Sequence, residues 1–284
     1  MKTTFAGFLQ EAKTSKKLLL AVNISIPEFV QGLKKKYKDQ VEFVDFKESF
    51  SFDLANVGFV LIGLTGKHPK EFNKLIKILK SIKINYFVYG AKNPEQNKDA
   101  QFKHMEKAGI SQIPSMFGNP KNLDVDSLIK KFGLPLVVKP IDGSQGNGVE
   151  LLKTKKQLEN YLEKSSDSIV TVQKFIENDG DWRLLFVGNK LIYSILRKTV
   201  DEKEFRNNTS LGGKATNKKP PANVLALAKK ANLASGLDIT GVDIIEDKNS
   251  NDVYVMEVNA GPQFFSNQNR FNSVINAIFE KIKF

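Results

Sequence analysis

The chain has 284 residues, with 43 Lys and Arg against 31 Asp and Glu for a formal charge of +12, two histidines and no cysteine. Without cysteine there are no disulfides, zinc–thiolate sites or thiol nucleophiles, and two histidines leave little for a histidine-rich metal centre or a Ser-His-Asp triad. Catalysis in such a chain falls to carboxylates, lysines, arginines and backbone amides, an inventory suited to phosphate chemistry.

The length allows two or three lobes around a large core. The longest apolar run, residues 57–64, is too short to span a bilayer, and no signal-peptide core is present, so a cytoplasmic protein without membrane contact is expected. The positive charge suits anionic ligands, but it is spread over lysines as on a solvated surface, and nucleic acid is not the expected partner. Only Arg183, Arg197, Arg206 and Arg270 are arginine. A guanidinium offers a bidentate fork that lysine cannot copy, so these four positions are the first to inspect.

Residues 1–15 read as a short helix or a loose arm. Strands follow at 17–24, 41–46, 57–64 and 84–89. One helix spans 27–37 with proline in its first turn, and a second opens at His68-Pro69, with Phe72, Leu75, Ile76, Ile78 and Leu79 at helical spacing. The β-α-β-β-α-β order predicts a small α/β domain with a largely parallel sheet. Within it, Gly63-Leu64-Thr65-Gly66-Lys67-His68 imitates part of a P-loop. It lacks the first glycine and the closing Ser or Thr, since Leu61 and His68 stand there.

A polar stretch at 90–99 reads as a linker, followed by helices at 99–108 and 124–132, each stopped by glycine. Next, a buried strand carries Lys139 into a loop with Gly143, Ser144, Gly146 and Gly148 and then into a returning strand. Closely spaced glycines leave backbone N–H groups free to turn toward an anion, although a simple hairpin turn looks the same. A helix at 157–162, a strand at 169–176 and a hairpin from Asp181 to Arg197, closed by Gly188-Asn189, come next. A polar loop at 204–213 leads to a helix opened by Pro220-Pro221, and an amphipathic helix at 272–283 ends the chain.

Two strands, 241–245 and 253–259, precede that last helix. Alternation puts Glu257 and Asn259 on one face with Val253 and Val255, and antiparallel pairing brings Asp243 to the same patch. Two carboxylates there would repel unless a cation lay among them, and hard oxygen donors without imidazole or thiolate suit Mg²⁺. The other reading is a solvated sheet face with three unrelated polar residues.

In order, Val138-Lys139-Pro140, the glycine loop, Gln173-Lys174-Phe175-Ile176, Asp181-Trp182-Arg183, Phe205-Arg206-Asn207-Asn208, Gly241-Val242-Asp243 and Met256-Glu257-Val258-Asn259 resemble the ATP-grasp superfamily. Within it they are similar to the RimK-like, ribosomal-protein-modifying ligases. The resemblance implies an ATP-grasp fold in which two α+β lobes clasp ATP after a small Rossmann-like domain: residues 1–96, then 97–170 with the glycine lid, then 171–284 with the metal site. It implies that Lys98 and Lys139 meet phosphates or adenine-side oxygens under the lid. Gln173, Lys174, Phe175 and Ile176 line the adenine edge, and Asp181 lies toward the ribose. Arg183, Asn207 and Asn208 complete the nucleotide site.

Asp243, Glu257 and Asn259 would hold Mg²⁺, with Glu257 bridging two ions and Mn²⁺ as a substitute. Arg197 and Arg206 would stabilise the transferring phosphoryl group. The implied reaction joins a carboxylate to an amine through an acyl phosphate, adding an amino acid such as glutamate to a peptide, a protein tail or a small acid. A homo-oligomer is compatible with this. An inositol-polyphosphate-kinase-like phosphotransferase and a non-catalytic nucleotide-binding protein are the alternatives. Two departures stand out: Lys174 replaces the usual acidic hinge residue, and Ala260-Gly261-Pro262-Gln263-Phe264-Phe265 replaces the usual Ser-Pro-Gly. Phe264 and Phe265 are therefore expected to line the acceptor entrance.

Overall fold

The structure, a computed structural model, describes residues 18–24, 26–45, 54, 56–63, 68–90, 98–141, 148–165, 169–201, 204–207, 213–264 and 267–282. The expectations for residues 1–15, Gly143, Ser144, Gly146, Asn208 and Phe265 fall outside these, as does the side chain of Lys98.

Strands β1 (Leu18–Val22), β2 (Val41–Val44), β3 (Val57–Gly63) and β4 (Asn85–Tyr89) form an all-parallel sheet in the order β2-β1-β3-β4. Helix α1 (Pro27–Tyr37) and helix α2 (Pro69–Ser81) cover its two faces. Both begin with proline, whose fixed φ suits the first turn and whose missing N–H is an orphan there anyway. Alternate strand residues divide cleanly: Leu20, Val60 and Ile62 pack with Phe72 and Leu75, whereas Leu19, Phe59 and Leu61 pack with Phe29 and Leu33.

After α3 (Lys98–Lys107), strands β5 (Ser115–Gly118), β6 (Leu136–Pro140), β7 (Glu150–Leu152) and β8 (Val170–Lys174) make an antiparallel sheet, ordered β5-β8-β6-β7. Helices α4 (Val125–Phe132) and α5 (Lys155–Lys164) bury Leu128 and Leu158 against Leu136, Val138 and Val172. Asp124 caps α4 through Ser127 N, and Thr154 and Gln157 close a reciprocal capping box on α5.

The third sheet, β11-β10-β9-β12-β13, is antiparallel and built from β9 (Asp181–Val187), β10 (Lys190–Lys198), β11 (Lys214–Asn217), β12 (Ile239–Glu246) and β13 (Val253–Asn259). One face packs on α6 (Ala222–Ser235) and on Met105 of α3. On the other, Leu185, Val187 and Ile239 meet α7 (Gln268–Phe279), which also packs on the parallel sheet and so ties the two together.

α7 begins earlier than its apolar spacing suggests, because Asn267 accepts from Arg270 N and caps it. The short strands β5 and β11, four residues each, were not expected. One expectation is overturned. A bulge at Met256 leaves Val255 opposite Ile244 and Glu257 opposite Asp243, so Val255 packs in the α6-side core and does not share a face with Glu257. No helix among the described residues is long and apolar enough to cross a membrane.

Candidate functional site

Register fixes a row of charge across the third sheet. Asp243 of β12 lies between Glu257 of β13 and Arg183 of β9, and Asp181 of β9 lies opposite Arg197 of β10. Arg183 grips Asp243 with both prongs, Nε to Oδ1 at 2.8 Å and Nη2 to Oδ2 at 2.6 Å. Arg197 bridges the two aspartates, donating from Nε to Asp181 Oδ1 at 2.5 Å and from Nη2 to Asp243 Oδ2 at 3.1 Å. Gly180 makes the entry to β9 possible: its φ is +131°, and a Cβ there would lie 2.5 Å from the Arg197 carbonyl oxygen.

Asp181, Arg197 and Asp243 are each 5% exposed or less. Burial pushes the Asp181 carboxyl up to about 6, against the pull of Arg197. Burial works the same way on Asp243, but Arg197 and Arg183 outweigh it and hold that carboxyl below the usual range. The cation that balances Asp243 is thus built into the sheet. Repulsion between Asp243 and Glu257 is weaker than two bare carboxylates would give. The Asp181 carboxylate is engaged with Arg197, so in this conformation it is a support for that arginine rather than a free ribose acceptor.

Metal fit rests on Asn259. Its side-chain nitrogen is buried without a partner among the described residues, and the opposite amide orientation would leave an oxygen there instead. With Glu257 and Asp243 in register nearby, the donor set is hard oxygen only, as Mg²⁺ prefers. Glu257 and Asn259 fit the ion, and Asp243, whose Oδ2 accepts from both arginines, has a lone pair left on Oδ1, which among the described residues accepts from Arg183 Nε alone.

Glu257 also faces a cleft between the second and third sheets. Lys139, Thr171 and Gln173 line one wall, Met256 and Glu257 the other. Lys139 and Thr171 are opposite each other on β6 and β8, and Gln173 is pinned by its Nε2 donating to Ser115 Oγ at 2.8 Å. The structure therefore brings Lys139, Gln173 and Glu257 into one space. Sequence reasoning missed Thr171, whose buried hydroxyl has no partner among the described residues, and Phe102 and Phe117, which meet edge to face in the same cleft. Two large apolar residues, Phe102 and Met105, on a polar helix and a four-residue strand carry no pattern that would have singled them out.

Other expected residues do not line this cleft. Phe175 packs edge-on against Phe205, Ile176 is buried with Ile113 and Ile245, and the exposed Lys174 donates its backbone N–H to Pro114 O. Arg206 forms a local fork with Glu204, and both ends of the Asn207 amide are engaged, by Thr199 N and Asn178 Oδ1. Gly148 sits at the exposed end of its loop with φ +70° and Pro140 2.9 Å from where a Cβ would be. Phe264 is a correction. It is 2% exposed and stacks between Tyr89 and Phe271 in the core joining the parallel sheet to α7, so it cannot line an entrance.

Solved structures share this architecture. The D-alanine–D-alanine ligase from Bacillus anthracis superposes with a TM-score of 0.63 at 20% identity, covering 94% of this chain and 97% of that one. The ATP-grasp ligase PsnB in complex with its minimal precursor gives 0.68 at 18%, covering 95% and 100%. The fold is ATP-grasp. Residues 96–280 match the RimK-like ATP-grasp domain, and the chain belongs to that family. Among curated relatives, a probable alpha-L-glutamate ligase of Syntrophotalea carbinolica is 36% identical over 162 residues, 56% of this chain and 53% of that protein. One from Vibrio atlanticus is 40% identical over 143 residues, 49% and 46%. The chain spans about half the length of the curated relatives it matches.

Proposed function

We propose that the protein is an ATP-dependent, ADP-forming carboxylate–amine ligase that adds an α-amino acid such as glutamate to a peptide, a protein tail or a small acid. The observation that carries this reading is the meeting of Lys139, Gln173 and Glu257 in one cleft, beside the Asp243 and Asn259 donors. Relatives named as probable alpha-L-glutamate ligases support the choice of amino acid.

In this reading residues 97–170 and 171–284 are the two grasping lobes, with residues 1–96 preceding them, and ATP is a substrate held between the lobes. Lys139, with Lys98 and the loop of Gly143, Ser144, Gly146 and Gly148, binds phosphates. Residues 173–176 lie along the base, and Arg206 and Asn208 approach the triphosphate. Glu257, Asn259 and Asp243 would hold Mg²⁺ (two ions, with Mn²⁺ a substitute), which would supply charge neutralisation for phosphoryl transfer.

A substrate carboxylate oxygen attacks the γ-phosphorus in line and ADP leaves. A neutral amine then attacks the acyl carbon; the C–O bond breaks, phosphate departs with its electrons, and the nitrogen loses a proton. Arg183 and Arg197, rigidly held by the two aspartates, stabilise the negative charge of these steps at little reorganisation cost. No histidine is needed.

The test is ADP release measured with L-glutamate, with an acidic peptide, with both and with neither, followed by mass spectrometry. A product heavier than the peptide by one glutamyl residue is expected, with release requiring both substrates. A phosphorylated product would turn the reading to a phosphotransferase, and no turnover would leave a nucleotide-binding protein.

A further inference from the structure

Arg270 stands apart from the other three arginines. Arg183 and Arg197 answer Asp243 and Asp181, and Arg206 answers Glu204. Arg270 has no carboxylate partner among the described residues, yet its guanidinium is firmly held. Its Nε and Nη2 both donate to Asn217 Oδ1, at 3.2 and 2.7 Å, and its plane lies 5.4 Å from the Tyr193 ring centroid. A guanidinium only donates, so Asn217 must present its oxygen, and the orientation is fixed by chemistry. A neutral acceptor and a ring set the geometry but leave the charge uncompensated. Of five N–H donors, about three remain for a ligand.

The place is as informative as the geometry. Tyr193 and Arg197 are four residues apart on β10 and share a face, so Arg270 borders the same sheet surface as the buried charge row. Burial raises the titration of Tyr193, and Arg270 and Arg183 oppose the shift, a sign of how near both guanidiniums are. Tyr89, which donates to Pro262 O in the segment after Asn259, also feels Tyr193. The half-buried Tyr193 hydroxyl has no protein partner among the described residues. Lys139 and the cleft lie on the far side of Glu257, toward the second sheet.

We propose that Arg270, oriented by Asn217 and assisted by the Tyr193 hydroxyl, forms a subsite for a non-reacting side-chain carboxylate of the substrate. A planar fork beside a phenol matches a carboxylate, whose two oxygens take parallel N–H bonds. The carboxylate belongs either to the free acidic amino acid or to an acidic acceptor peptide. This deepens the ligase reading above and rests on it. It also moves substrate recognition from Phe264, which is core, to the first turn of α7.

The experiment is calorimetric titration of the wild type, Arg270→Gln, Arg270→Lys and Tyr193→Phe with L-glutamate, triglutamate and L-glutamine, each with Mg²⁺ and a non-hydrolysable ATP analogue. At least one of the two acids should bind the wild type ten- to a hundredfold more tightly than Arg270→Gln, as loss of a charge-assisted fork implies. Arg270→Lys should fall between, glutamine should bind both proteins alike, and nucleotide affinity should not move. Which acid responds identifies the source of the carboxylate. Equal binding of both acids to wild type and Arg270→Gln, or no binding of either, overturns the subsite. The ligase reading fails separately: acid binding through Arg270 without ADP release would sink the ligase and keep the subsite. Glutamylation with an unchanged KM in Arg270→Gln would do the reverse.

Discussion

The two faces of the third sheet are made from the same strands and do different work. Toward α6, Trp182, Leu184, Phe186, Val242 and Ile244 form a dry apolar layer. Toward the other side, one end of the same strands is apolar, with Leu185 and Val187 on α7, and the other end carries Asp181, Arg183, Arg197 and Asp243. A hydrophobic face gains stability from every buried methylene. A buried ion network gains little net stability over an apolar replacement, because desolvation opposes the Coulomb attraction. In the proposed ligase reading, the four charges held within hydrogen-bond reach at one end of the sheet, where apolar residues would serve the fold, are kept for ligand binding.

The difference can be broken from either side. Arg197→Ala leaves Asp181 without its partner and should destabilise by about 3–5 kcal/mol. Leu184→Ala, fully buried on the apolar face, should cost about 2–5 kcal/mol through lost contact and a cavity. Urea unfolding would give similar losses, but ligand response should separate them. Leu184→Ala should keep the Mg-ATP stabilisation of the wild type, while Arg197→Ala should lose activity even where it is folded. Loss of ligand response in Leu184→Ala under folding conditions would erase the distinction.

Much of the frame was legible in the sequence because its signals are local. Proline at the starts of α1 and α2, apolar spacing in α2 and the run from Val57 to Gly63 each act over a few residues, and the parallel pairing of the first sheet follows from its β-α-β connections. The glycine stops after α3 and α4 are equally local. What was not legible depends on pairing at long range. The bulge at Met256 is a mismatch in residue count between two strands, invisible until both are aligned. Asp181 with Arg197, and Arg183 with Asp243, are partners 16 and 60 residues apart that only register brings together. Phe264 was misassigned because it follows the metal-ligand motif closely, whereas Tyr89 and Phe271, distant in sequence, decide where it goes. Lys139 and Glu257 could be named one by one, but not the cleft they share.

A smaller effect sharpens the electrostatics. Burial pushes the Asp181 carboxyl up to about 6, so the folded protein binds its proton more tightly than the unfolded chain. Its contribution to stability is therefore fully present below about pH 4 and lost as pH rises through 6. Asp181→Asn removes that dependence. The stability of wild type relative to Asp181→Asn should decline between pH 4 and 6, read from chemical denaturation at each pH. A difference that grows over that range would mean that Asp181 is held ionised by Arg197 and that burial is the lesser influence.

The central claim is that the charged end of this sheet, with Glu257 and Asn259 at its edge, is where Mg-ATP is held. Thermal melts of wild type and Glu257→Gln, each with and without Mg-ATP, test it most directly. Arg183 and Arg197 already balance Asp243, so without ligand the two proteins should melt within a few degrees of each other. Mg-ATP should raise the wild-type melting temperature, because a ligand that binds only the native state stabilises it, and should leave Glu257→Gln nearly unmoved. An equal Mg-ATP shift in both proteins, with ADP release intact in the variant, would contradict the account and reduce Glu257 to a solvated residue on a sheet edge.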